Sequence, residues 1–242
     1  METVADLKTM APKLNPVVGY WNPLCLGEQS TNSVGVDEVA AVGWLRHAEI
    51  KHGRVAMAAF VGFCVQSNTC FPWDLTLEGT KYSDIFAAGG PAAQWDALPT
   101  NGKLQILLVI GLLEMWGESS SALAMGGEKH YCRGGKPGYF PSFAPIRDSG
   151  LGQPPLDLWD PFGFTKKMTP EKKEKALLAE VNNGRLAMIG IFGLISASKG
   201  LIVPGLDGLG IKPYAGEVMA PFAASDTALP FVSKMLEYPL PY

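Results

Sequence analysis

One segment of this chain occurs twice. "AEIKHGRVAMAAFVGF" at 48–63 and "AEVNNGRLAMIGIFGL" at 179–194 align without a gap, sharing Ala-Glu, Gly-Arg, Ala-Met and a later glycine at matching positions. Each copy follows a Trp-Asn/Asp-Pro turn, "WNPLCLG" at 21–27 and "WDPFGF" at 159–164. Two copies of one unit running in the same direction, with one helix of opposite direction between them, imply a pseudo-two-fold axis. This constrains the fold more than any other feature of the chain.

Three segments have helical character and enough length to cross a bilayer, about 38–68, 102–126 and 170–203. None holds 18 uninterrupted apolar residues, so the case for membrane spans rests on the whole pattern. Composition supports it. Charged residues make up 18% and hydrophobic residues 47%, against roughly 25% charged in an average soluble domain. The Gly/Pro-rich stretch "CRGGKPGYFPSFAPIRDSGLGQPPLDLWDPFGF" reads as a long ordered loop, and no alternating β pattern of useful length is present. The expected fold is an all-α membrane protein: three transmembrane helices in a single domain over 1–242, with the first and third helices crossed. A net charge of −3 gives no electrostatic case for nucleic acid. Cys25, Cys64, Cys70 and Cys132 have no zinc-site spacing and read as ordinary thiols. The N-terminus has neither an apolar signal core nor the look of a transit peptide, so a targeted protein would be represented here in its mature form.

Within each copy a glutamate precedes an arginine by five residues, Glu49 with Arg54 and Glu180 with Arg185. On a helix this separates them by about 140°, a poor pair compared with i,i+3 or i,i+4. Crossing of the two helices offers the better solution, in which Glu49 meets Arg185 and Glu180 meets Arg54. Glu49, Gly53 and Ala56 share a face, as do Glu180, Gly184 and Ala187, and small residues there permit close backbone approach. A glutamate neutralised by arginine keeps oxygen lone pairs and can serve as an axial ligand to a hard cation such as magnesium. Three residues on from each glutamate stands a second donor, His52 or Asn183.

These motifs resemble the first and third transmembrane helices of the chlorophyll-binding light-harvesting superfamily. The stretches "YCRGGKPGYFPSF" and "PPLDLWDPFGF" are similar to the intrinsic peridinin–chlorophyll a/c antenna proteins of dinoflagellates, relatives of the diatom fucoxanthin proteins. The resemblance covers roughly 18–205. It implies Glu49 and Glu180 as ligands to chlorophyll magnesium, with Arg185 and Arg54 as their partners and His52 and Asn183 as second ligands. It carries over to Glu114 in "GLLEMWGE", although the plant pattern has an arginine three residues further on, where this chain has Gly117. Many relatives have a glutamine twelve residues after the third-helix arginine. This chain has Ala197 there and Gln66 at the equivalent place in the first helix, so Gln66 is a candidate ligand, with Gln105 a weaker one. The implied cofactors are chlorophyll a, chlorophyll c, peridinin and diadinoxanthin or related carotenoids. The implied partners are thylakoid membrane lipids, a photosystem core and neighbouring antenna subunits.

His47 and His130 read as polar surface or loop residues, Lys51 as an ordinary surface residue, and "KKMTPEKKEK" as a solvated face. Trp21, Trp44, Trp73, Trp95 and Trp159 read as an aromatic belt. Nine Lys/Arg residues between 129 and 175, against two between 71 and 103, put that loop and the N-terminus on the stromal side of a thylakoid and residues 204–242 on the lumenal side. A photoprotective, energy-dissipating member of the same superfamily would share every ligand. An enzymatic rival, a di-iron carboxylate bundle, uses Glu-x-x-His as in Glu49–His52, but the second copy has Asn183, and arginines beside the carboxylates oppose a cationic metal pair.

Overall fold

The computed structural model describes residues 2–26, 28, 37–150, 157–158, 160–218, 220–226, 228–232 and 234. Its helices are α1 (Val4–Leu14), α2 (Glu38–Asn68), α3 (Tyr82–Ala87), α4 (Pro91–Asp96), α5 (Thr100–Glu118), α6 (Ser120–Met125), α7 (Ala144–Asp148) and α8 (Pro170–Ser198). Short 3-10 turns cover Tyr131–Arg133 and Phe164–Lys167. Among the described residues no β-strand forms, only an isolated bridge between Asp74 and Lys81.

The three long helices fall where the repeat and the apolar runs predict, with two corrections. The middle helix was expected over 102–126, but it stops at Glu118 and a separate turn of helix restarts at Ser120. Ser119 is extended, and its hydroxyl accepts from the Ala122 N–H, so it acts as an N-cap where continuity was expected. The last helix was expected to reach 203 but ends at Ser198. Gly200 takes φ +84, and the Leu201 N–H closes back on the Ser196 carbonyl, which is the left-handed termination glycine favours.

Among the described residues no helix is long and apolar enough to cross a membrane. In α5 the uncharged stretch lies between Lys103 and Glu114, well short of the about 20 apolar residues a bilayer core needs. In α2 and α8 the repeated polar motifs interrupt the apolar runs.

The chain divides into two compact units, one of Met1–Val55 with Gly111–Leu186, the other of Ala56–Ile110 with Ala187–Tyr242. In the first, α1 begins with a capping box in which Thr3 and Asp6 bond reciprocally. The Val4 N–H donates to Glu38 Oε1 at 2.8 Å, and the Asn182 amide donates to the Leu14 carbonyl at 3.2 Å. Both ends of α1 are therefore tied, to α2 and to α8. The described parts of the Trp-Asn/Asp-Pro turns share a hydrogen bond and a left-handed position, although Asp160 (φ +49) is itself left-handed where Asn22 is not. Asn22 Oδ1 accepts from the Leu26 N–H as Asp160 Oδ1 accepts from that of Phe164. Cys25 (φ +50) occupies the left-handed position that Gly163 (φ +70) takes in the other turn. Trp159 itself lies outside the described residues.

In the second unit, the chain after α8 is fastened to α4 and α5. Asp226 receives Lys103 Nζ at 2.6 Å and the Thr100 hydroxyl at 2.5 Å, and both members of the ion pair are buried. Tyr214 donates to Asp96 Oδ2 at 2.8 Å, and Trp95 Nε1 donates to the Pro221 carbonyl at 3.0 Å. A buried charge needs a partner of this kind. Residues 212–218 and 220–226 are thus an integral part of this unit, which no motif in the sequence announces.

Candidate functional site

The first unit is organised around the crossing of α2 and α8. A Cβ built on Gly53 would sit 3.0 Å from the Gly184 Cα, and one on Gly184 would sit 2.9 Å from the Gly53 Cα. Residues 131 positions apart therefore meet each other, which is the signature of a two-fold axis through the contact. Only glycine permits so close an approach of two helix backbones.

One turn away on either side lie the reciprocal pairs. Arg54 Nε donates to Glu180 Oε1 at 2.6 Å, and Arg185 Nε donates to Glu49 Oε1 at 2.7 Å. The cross-helix pairing expected from the five-residue spacing is therefore present in both copies. Both glutamates are partly buried, with side-chain exposures of 23% for Glu49 and 18% for Glu180.

The surroundings of the two pairs differ. Glu49 also receives Arg46, from one turn earlier in α2, through Oε2. Arg54 also donates through Nη1 to the Gly138 carbonyl at 2.6 Å. Gly138 lies against Ile50, where a Cβ would come within 2.7 Å of a methyl carbon, so a larger residue would lift the loop off α2. The di-iron alternative needs its carboxylates and histidines to converge on metal, and among the described residues no group of three or more His, Cys, Asp or Glu is placed to do so.

The second donors lie on exposed positions. His52 Nδ1 is 2.7 Å from the Ala48 carbonyl, which can only accept. The proton therefore belongs on Nδ1, leaving the Nε2 lone pair free for a ligand. Asn183 is also exposed and offers a neutral amide oxygen. Each carboxylate oxygen has two lone-pair sites, so Glu49 and Glu180 keep acceptor capacity after meeting arginine. Oxygen and imidazole donors with neutralised charge fit a magnesium centre.

Glu114 is exposed, and although Gly117 stands where the plant pattern has an arginine, Glu114 does have a counter-charge. Lys51 Nζ forms an ion pair with Glu114 Oε2 and lies 3.9 Å from Glu118 Oε1. Lys51 is thus a bridging cation between α2 and α5, not a free surface residue. The space above Gly117 belongs to the Phe140 ring, 3.4 Å from where a Cβ would stand. Gln105 is exposed on α5 and Gln66 is exposed on α2, and neither joins the Glu/Arg crossing.

His47 departs from the surface reading. His47 is buried, accepts from the Gly138 N–H at 3.0 Å, and stacks on Tyr131 with ring centroids 3.8 Å apart. His130 remains in a loop, but its Nε2 lies 2.8 Å from Glu118 Oε2. Glu118 also accepts from the Tyr131 hydroxyl at 3.3 Å. Burial, reinforced by that bond to Glu118, pushes the Tyr131 phenol well above its ordinary range. Burial and the same carboxylate raise the Cys132 thiol. This cluster joins α2, α5 and the following loop. The one advance sign of it was the density of ionisable residues in "EKHYCR".

The sequence profile described as "Chlorophyll A-B binding protein" matches residues 5–199. The chain belongs to the chlorophyll a-b binding protein family. Among its relatives, the chloroplastic fucoxanthin-chlorophyll a-c binding protein E of Macrocystis pyrifera is 31% identical over 181 residues, covering 74% of this chain and 69% of that protein. The chloroplastic fucoxanthin-chlorophyll a-c binding protein B of Phaeodactylum tricornutum is 34% identical over 192 residues, covering 79% and 76%. Membership places the chain among chlorophyll-binding antenna proteins rather than enzymes. The matched span includes the crossing and both sets of candidate ligands.

Proposed function

We propose that the protein is a light-harvesting antenna of the thylakoid membrane. It binds chlorophyll a, chlorophyll c and carotenoids of the peridinin, diadinoxanthin or fucoxanthin kind, and passes excitation to a photosystem. One observation carries this reading. At a symmetric helix crossing, two arginine-neutralised glutamates are each followed one turn later by an exposed neutral donor. Glu49, His52, Glu180 and Asn183 would hold chlorophyll magnesium, with Glu114 a fifth on α5 and Gln66 and Gln105 as further candidates. Bound chlorophyll supplies the absorption and the excited state. The protein holds each magnesium at a fixed atom of a rigid helix, and so sets pigment distances and orientations.

Membrane residence is supported by apolar side chains left exposed on all three long helices, among them Val61, Val65, Leu108, Leu112, Ile189 and Phe192. Such surface needs lipid or pigment against it, and pigment packed along the helices compensates for their short apolar runs. In this reading the N-terminus and the 129–175 loop are stromal and residues 204–242 lumenal, following the distribution of Lys and Arg.

The test is the pigment content of the purified protein. Several chlorophylls per chain are expected, with about one fewer in His52→Val at unchanged helicity. A colourless preparation carrying stoichiometric iron would contradict the proposal.

A further inference from the structure

We infer that Arg46 is a positioning residue for the Glu49 pigment site, and that the segment carrying α1 completes the site by supplying the charge that balances it. This rests on the pigment-binding reading above and adds to it two residues, Arg46 and Glu2, that lie outside the repeated motif.

The two glutamates of the crossing have different surroundings. Arg185 approaches Glu49 Oε1 through both Nε and Nη2, each at 2.7 Å, which uses both lone-pair sites of that oxygen. Arg46, one turn earlier in α2, donates through Nη1 to Oε2 and leaves that oxygen one site. The acceptor left for magnesium is therefore Oε2, the atom that Arg46 holds. In the second copy of the repeat the position matching Arg46 is Leu177, an exposed side chain with nothing to donate. Glu180 receives Arg54 through Oε1, and no second arginine meets it among the described residues. A group that holds a ligand atom from behind orients it and tunes the metal it meets. Only the first copy has such a group.

Burial makes a further demand. The Arg46 side chain is 8% exposed, and a buried charge needs a partner. Glu49 is already matched by Arg185, so Arg46 requires another carboxylate. Glu2 supplies it, accepting from Arg46 Nε at 3.1 Å. Met10, inside α1, adds a second contact, its Sδ 3.8 Å from Arg46 Nη2. Glu2, Arg46, Glu49 and Arg185 thus form a neutral chain of two carboxylates and two guanidinium groups. Without Glu2 the site would carry a surplus positive charge beside its pigment. That gives the docking of α1 a role beyond packing: it sets the field at one pigment and leaves the Glu180 site alone.

The full chain is reconstituted with chlorophyll a, chlorophyll c and carotenoids. Pigments are counted, and low-temperature absorption is recorded, for the wild type, Arg46→Met, Glu2→Gln and Asn182→Ala. Arg46→Met removes a positive charge and Glu2→Gln a negative one, so the changes in field at the pigment have opposite sign. One chlorophyll band should shift in opposite directions in these two variants, at unchanged pigment number. The larger shift belongs to Arg46→Met, because Glu2 is 33% exposed and solvent screens it more. Asn182→Ala frees the far end of α1 without altering the charges, and its spectrum should match wild type. If Arg46→Met fails to assemble, a shift in Glu2→Gln that is absent from Asn182→Ala still decides. Shifts of the same sign in the two charge variants, the same shift in Asn182→Ala, or no shift in either charge variant overturns this proposal and leaves the antenna reading standing. A wild-type chain that takes up no chlorophyll overturns both.

Discussion

Arg54 bridges Glu180 and the Gly138 carbonyl, so its guanidinium serves the helix crossing and the loop together. Removing one partner of a buried ion pair typically costs about 3–5 kcal/mol. Here the Arg54 side chain is 34% exposed, so Arg54→Leu should cost at most about 3 kcal/mol, read as a lower thermal midpoint of the pigmented protein. The charge-swapped Arg54→Glu/Glu180→Arg double variant should assemble better than either single variant, and equal failure of all three would refute direct pairing. Lys51 supports a second prediction. Because it neutralises Glu114 and approaches Glu118, Lys51→Met should lose the same pigment as Glu114→Leu, with no further loss in the double variant. Independent, additive losses would separate the two residues. The Glu/Arg pairing was legible because duplication displays the same spacing twice. The role of Lys51 was not, since its partner lies 63 residues away and its counterpart, Asn182, reaches instead to α1.

At the scale of elements, α2 and α8 are two versions of one helix. Their starts, Glu38 and Pro170, and their ends, Asn68 and Ser198, follow the offset of the repeated motif to within one residue. The contact at Gly53 and Gly184 sets their separation, so Gly184→Val should force the backbones apart and cost about 1–3 kcal/mol, measured by thermal unfolding followed by circular dichroism. A stability equal to wild type would mean that the glycines are not in contact. The existence and approximate positions of the three long helices were readable from the apolar runs and the repeat. The break at Ser119 and the stop at Gly200 depended on local capping, which competes with an apolar pattern that would otherwise continue. The helix α1 was missed because it is short, although the Thr3–Asp6 spacing at its start is a legible cap.

Across the whole molecule, fastening by residues distant in sequence is the recurrent device, and it is what sequence reading could least supply. Lys103 and Asp226 are 123 residues apart, and no local pattern marks either as half of a buried pair. A shorter-range clasp closes one loop: Asp157 accepts from Arg147 at 3.2 Å, from the Ser142 hydroxyl at 2.9 Å and from the Phe143 N–H at 2.8 Å. The Arg147 bond, with the others, holds its carboxyl below the ordinary value of 3.8. A depressed carboxylate stabilises the fold fully above its unfolded value and loses that contribution as pH falls through the lowered one. Acid unfolding of the wild type should therefore draw on Asp157 only below about pH 4, and Asp157→Asn should be less stable at neutral pH while converging on wild type in acid. A constant difference at all pH values would contradict this assignment. The central claim, that the crossed helices hold pigments close enough for excitation transfer, is tested most directly by the fluorescence-excitation spectrum of the purified protein, detected at chlorophyll a emission. The account predicts that bands of carotenoid and chlorophyll c appear in that spectrum at nearly their strength in absorption. A spectrum containing chlorophyll a bands alone, from a preparation that absorbs through all three pigments, would contradict it.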